Sequence, residues 1–170
     1  ISLSHGNEKL QNYFSYANTT GHGIIGKHNL SKHNLTFRET SVLLNSRLKL
    51  DGSMNLMRQV VKNKPTVGGF YMNPLVGLYR FPRGEDIAYY KENFEVYDEG
   101  RNLNIQNWHT SYEDFEQNPY WITNRILSKE NLMHVIVSLS ANLKINDWLS
   151  LQARGNVDYI NDKVRQQFYA

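Results

Sequence analysis

"NDWLSLQARGNVDY", residues 146–159, reads as a tight turn followed by a strand. From Leu149 onward every second residue is apolar or small: Leu149, Leu151, Ala153, Gly155, Val157, Tyr159. Between them stand Ser150, Gln152, Arg154, Asn156 and Asp158. A period of two gives a strand one greasy and one polar face. The fold depends on what covers each.

The same period recurs upstream. Met133, Val135, Val137, Leu139, Ala141, Leu143 and Ile145 alternate with His134, Ser138, Ser140, Asn142 and Lys144, and Ile136 is the exception. Asn146-Asp147 joins that strand to the quoted one as a hairpin. Residues 47–57 place Leu48, Leu50, Gly52, Met54 and Leu56 opposite Arg47, Lys49, Asp51, Ser53 and Asn55. A tight connection at Leu44-Asn45-Ser46 leads into them from residues 33–43, where Glu39 and Ser41 share a phase with Leu35, Phe37 and Leu43. Residues 10–20 are rich in strand-forming Tyr, Phe and Thr but have mixed faces, which leaves their orientation open. Residues 1–4 form a sixth, short strand, followed by turn chemistry at His5-Gly6-Asn7-Glu8.

Between residues 59 and 131 the period disappears. Pro65, Gly68-Gly69, Pro74, Gly77, Pro82, Gly84 and Pro119 punctuate a stretch full of aromatics. Residues 85–97 have room for a short helix. Tyrosine and tryptophan argue against disorder there, and so long an excursion is usually functional.

Composition narrows the classes. A formal charge of +3 is spread along the chain without the basic face of a nucleic-acid reader, so none is expected as partner. No cysteine is present, which removes disulfides, thiol nucleophiles and thiolate metal sites. No apolar run approaches the roughly 20 residues of a membrane helix, whereas a membrane strand needs only about 9–11. Both ends read as cut rather than finished, and no secretory leader opens the chain.

The short connections fall at 6–8, 44–46 and 146–147, and the long ones at 21–30 and 59–131. In a meander this puts short turns at one end and long loops at the other. An outer-membrane barrel has that asymmetry. A sandwich can also produce it, and the residues alone leave both open.

"QNYFSYANTTGHGII", "NPLVGLYRFPRG", "YDEGRNLNIQNW", "QNPYWITNR" and "LKINDWLSLQARGNVDY" occur in this order along the chain. Together they resemble the SusC/RagA-like TonB-dependent outer-membrane transporters, nutrient importers of Bacteroidetes-type bacteria. The resemblance implies an all-β fold, an antiparallel transmembrane β-barrel segment belonging to a barrel of about 22 strands. Residues 1–58 would be early barrel strands with hairpin turns, 59–131 a long extracellular loop, and 132–170 a barrel hairpin with the start of the next loop or strand. It implies uptake of oligosaccharides or peptides across the bacterial outer membrane. The partners would be the plug and remaining barrel strands of the same transporter, a SusD-like surface lipoprotein, TonB and outer-membrane lipid. No TonB box, plug signature or C-terminal strand is present.

On that resemblance the face of Leu149, Leu151 and Val157 would touch lipid. Arg47, Lys49, Asp51, Asn142, Gln152, Arg154 and Asp158 would face the lumen, and Trp148 would join the aromatic girdle. Within residues 59–131, Tyr71, Tyr79, Arg83, Trp108, Tyr112 and Trp121 are the candidate substrate contacts, because rings cover apolar sugar faces while polar groups fix orientation. Packing of the segment itself is the plainer account of any one of them, above all Trp121 beside Pro119.

No catalytic constellation and no cofactor emerges, so the chain is expected not to be an enzyme. His28 and His33 are five apart, and Ser138 near His134 follows a strand pattern rather than a nucleophile elbow. Glu113, Asp114 and Glu116 lack regular calcium-ligand spacing and read as solvated charge, so no metal is expected. The alternative function is a soluble or secreted all-β glycan-binding module. In it Met133, Val135, Val137 and Leu139 would pack against a second layer.

Overall fold

Asparagine side chains start many of the turns and helices. Asn7 Oδ1 accepts from the backbone N–H groups of Lys9 and Leu10 at 2.8 and 2.9 Å, closing the first hairpin. Asn146 Oδ1 accepts from the Trp148 N–H at 3.2 Å and shapes the last one. At the middle turn Leu44, Asn45 and Ser46 all take left-handed φ, between 52° and 67°. The computed structural model describes residues 1–69, 72–110 and 116–169.

The elements run β1 (Ser2–Gly6), β2 (Leu10–His22), β3 (Asn29–Leu43), β4 (Leu48–Lys62), α1 (Pro74–Arg80), α2 (Ile87–Glu92), β5 (Glu95–Asp98), β6 (Leu103–Gln106), α3 (Pro119–Arg125), β7 (Leu127–Lys144) and β8 (Ser150–Gln167). Six strands form one sheet in the order β1-β2-β3-β4-β7-β8, and β5 pairs with β6 in a second. Ser4 lies opposite Tyr13 and Ser2 opposite Ser15 in the antiparallel β1–β2 pair. This register orients β2, with Tyr13 and Ser15 on the side of Ser4.

The chain divides into two compact units. The first comprises Ile1–Gly21, Leu30–Val60 and Glu130–Lys163, and holds most of the six-stranded sheet. The second comprises His22–Asn29, Val61–Lys129 and Val164–Ala170. Residues 59–131 are thus no plain loop: they carry three short helices and the β5–β6 hairpin.

Two Asn-Pro pairs organise the second unit. Asn73 and Asn118 cap α1 and α3, each with proline at the first helical position, where its missing N–H and fixed φ are an advantage. Asn118 is fully buried. Its Nδ2 donates to the carbonyls of Tyr90 and Asn107 at 2.9 and 2.7 Å, its Oδ1 accepts from the Tyr120 N–H, and its own N–H donates to Gln106 Oε1. One side chain thereby ties α2, the residue that follows β6 and the start of α3 together. Trp121 and Ile122 form the apolar core beside it.

The expected transmembrane barrel segment is corrected. The six-stranded sheet is open, with β1 and β8 as its edges and no pairing between them among the described residues. A sheet with two unpaired edges is not the closed barrel that satisfies every backbone group in a bilayer. The outer-membrane location and the lipid contact of Leu149, Leu151 and Val157, which rested on that barrel, are corrected with it: these side chains are exposed on an open sheet. The sandwich layer expected for the alternative is not found either. Val137 and Leu139 are 38% and 63% exposed, and no second layer covers them among the described residues.

Candidate functional site

Strand phase builds a groove in the first unit. On β3 the even positions Arg38 and Thr40 point to the side where β4 presents Asp51 and Ser53. The Thr40 hydroxyl donating to Asp51 Oδ1 at 2.7 Å fixes this, and Asn55 Nδ2 donating to Thr36 Oγ1 at 2.9 Å repeats it. On β7 the same side carries His134, Ser138 and Ser140, and on β8 Arg154, Asn156 and Asp158. His134 Nε2 lies 2.6 Å from Asp158 Oδ1 and locks those two strands in phase.

Arg38, Thr40, Asp51, Ser53, Ser138, Ser140, Arg154, Asn156 and Asp158 line a hollow of about 650 Å³. That volume lies within the range of small-ligand sites. Arg38 and Thr40 also line an adjoining hollow of about 660 Å³, bounded by Ser4, His5, Glu8, Gln11 and Tyr13. The two therefore form one groove across the sheet. Its walls offer hydroxyls, amides, guanidiniums and carboxylates beside the apolar Ile136, Leu139 and Val157, with Tyr13 in the adjoining hollow.

The charges in the groove differ in their engagement. Asp51 accepts from Thr40 and pairs with Lys49 Nζ at 3.3 Å, and Asp158 holds His134. Glu39 sits on the opposite phase and accepts from the Ser41 hydroxyl at 3.1 Å. β3 runs unbroken through it, so it shares the side of Leu35 and Phe37 without a bulge. Among the described residues neither Arg38 nor Arg154 has a hydrogen-bond or ion-pair partner.

Of the seven residues expected to face a lumen, Asp51, Arg154 and Asp158 meet in this groove. Arg47, Lys49, Asn142 and Gln152 do not line it. Trp148, expected in an aromatic girdle, is 82% exposed at a hairpin end. Ser53, Ser140 and Asn156 stand on polar faces that the sequence shows, whereas Arg38 and Thr40 were not singled out by sequence. Their signal was the phase of β3, hidden because its other phase mixes Glu39 and Ser41 with apolar residues.

The aromatic candidates of the second unit divide differently. Trp108 is packed among Phe81, Tyr90 and His109, with centroids 5.1, 5.3 and 4.9 Å away. Trp121 is buried, its ring edge-on to Tyr169 at 5.5 Å. Tyr79 is 84% exposed at the end of α1, and Arg83 is exposed beyond it. Tyr71 and Tyr112 lie outside the described residues, as do Glu113 and Asp114. Glu116 is buried instead of solvated, 3.0 Å from Arg80 Nε and 3.1 Å from His109 Nε2. Among the described residues no group of His, Asp and Glu is placed to hold a metal ion.

No family model matches this chain, and no curated protein matches it. The resemblance to SusC/RagA-like transporters is corrected accordingly: no family match carries it, and the described residues form an open antiparallel sheet rather than a barrel. The partnerships that came with it, with a plug, a SusD-like lipoprotein, TonB and outer-membrane lipid, lose their support, and so does the import function.

Proposed function

We propose that this chain is an all-β glycan-binding module whose site is the polar groove across β3, β4, β7 and β8. The observation that carries the reading is the groove's lining. Ser53, Ser138, Ser140 and Thr40 supply hydroxyls, Asn156 an amide, and Arg38 and Arg154 forked donors, around about 650 Å³. A polyol needs many directional donors and acceptors with one or two apolar surfaces, and Tyr13 supplies such a surface in the adjoining hollow.

The module binds without turning its ligand over. Asp51 accepts from Thr40 and Asp158 holds His134, and we read both as groups that hold the groove's strands in phase.

The test is calorimetry of the purified chain against a panel of oligosaccharides, with Asn156→Leu and Ser53→Val as groove variants. Each removes a hydrogen-bonding group worth about 1 kcal/mol, so affinity falls about fivefold per variant. A panel with no binder overturns the proposal. So does a binder equally tight to both variants.

A further inference from the structure

We infer that the groove selects acidic glycans, chains whose sugars bear carboxylate or sulfate groups. This rests on the glycan-binding reading and adds the ligand's charge to it. The hollow lined by Arg38 and Arg154 is bordered by three acids, Glu39, Asp51 and Asp158, and two guanidiniums, which by simple count favours no anion. Engagement reverses that count.

Of the acids bordering the hollow, Asp51 and Asp158 have charged or ionisable partners within the protein, and Glu39 stands on the opposite phase of β3. Asp51 takes the Thr40 hydroxyl and the Lys49 ammonium, Asp158 takes His134 Nε2, and Glu39 takes the Ser41 hydroxyl. Arg38 and Arg154 have no such partner among the described residues, and both are exposed. A guanidinium presents a planar fork that matches a carboxylate or sulfate edge. Two unengaged forks on the walls of one hollow are therefore its open valences.

Position refines the expectation. Arg38 lines both hollows, whereas Arg154 lines only the one across β4, β7 and β8. The adjoining hollow also holds Glu8, which disfavours a second anion there. The acidic sugar thus belongs between Arg38 and Arg154, and a neutral sugar belongs beside Tyr13.

The experiment measures binding of the intact chain to three size-matched oligosaccharides at low and high salt: a neutral glucan, a polyuronate and a sulfated glycan. The two acidic ligands bind about tenfold tighter than the neutral one at low salt, and the advantage shrinks as salt screens the contacts. The carboxylate and sulfate arms separate the two sources of charge. Arg38→Gln and Arg154→Gln abolish the preference, read as the ratio of acidic to neutral affinity, because each also takes a donor from the neutral ligand and weakens its binding about fivefold. Arg47→Gln, an exposed change outside the groove, leaves it intact and controls for net charge.

Neutral and acidic ligands binding alike would overturn the charge selection and leave the glycan reading standing. An acidic preference that survives both groove variants overturns the assignment to these arginines. Failure of all three ligands to bind sinks both.

Discussion

Arg125 grips Glu95 with two parallel hydrogen bonds, Nε to Oε2 at 2.7 Å and Nη2 to Oε1 at 2.6 Å. The guanidinium carbon also lies 4.7 Å from the centroid of the Tyr169 ring. This geometry joins α3 to β5 and to the segment after β8, all within the second unit. A lysine keeps the charge but loses the fork and the flat face laid on tyrosine. Arg125→Lys therefore destabilises by about 1 kcal/mol, a modest figure because the pair is partly solvated. Urea denaturation curves check it, and unchanged midpoints would count against a structural role for the pair.

Asn118 is a sharper case. Its truncation to alanine leaves the carbonyls of Tyr90 and Asn107 and the N–H of Tyr120 without their partner in a site closed to water. Each abandoned buried group costs about 1–3 kcal/mol, so Asn118→Ala loses about 3–5 kcal/mol. Aspartate keeps the cap acceptor and forfeits both donors, and fails nearly as badly. Tryptophan fluorescence reads this unit directly, because Trp108 and Trp121 both lie in it.

Gly77 tests close packing. A Cβ at this position would overlap the backbone carbonyl oxygen of Gln117 and touch the Trp108 ring. Alanine normally favours a helix over glycine by about 1 kcal/mol. Here the backbone cannot yield as a flexible side chain would, so Gly77→Ala is destabilising, by about 2–3 kcal/mol net. A more stable variant would show that α1 and the backbone at Gln117 separate freely.

Alkaline pH isolates one hydrogen bond. The Tyr90 hydroxyl donates to Glu85 Oε2 at 2.8 Å, and this bond to the carboxylate raises the phenol above its usual 10.0. A raised folded-state value means that the folded chain holds the proton longer than the unfolded one. The bond's contribution is therefore complete below about pH 10, the unfolded value, and fades as pH climbs through the folded value. The Tm advantage of the native chain over Tyr90→Phe narrows accordingly above pH 10. A gap constant from about pH 8 to 12 would refute this linkage.

The strand faces were legible because period two needs no knowledge of neighbours. β4, β7 and the first half of β8 carry an apolar phase that survives inspection of the residues alone. The strands then run farther than their alternation. β8 continues to Gln167 although Asn161, Asp162 and Lys163 break the pattern, because pairing with β7 supplies the order that composition lacks. What covers the apolar phase was not legible, and a familiar arrangement of motifs supplied the wrong closure.

The second unit hid for another reason. Its helices are six or seven residues long, too short for a 3.6-residue period to show. Their caps were visible, in Asn73-Pro74 and Asn118-Pro119, and a search for capped proline would have found two of the three. The groove needed one further step. Arg38 and Arg154 are 116 positions apart, and only the order β3-β4-β7-β8 makes them walls of one hollow.

The unpaired flank of β8 has a bearing on how these molecules meet one another. Eighteen residues of extended backbone form a template onto which an identical neighbour could dock. Arg154, Asp158, Asp162, Lys163 and Arg165 interrupt that template with charges of both signs, so a neighbour arriving in the wrong alignment meets like against like. Neutralising them would remove that mismatch and leave an edge on which identical chains stack in register.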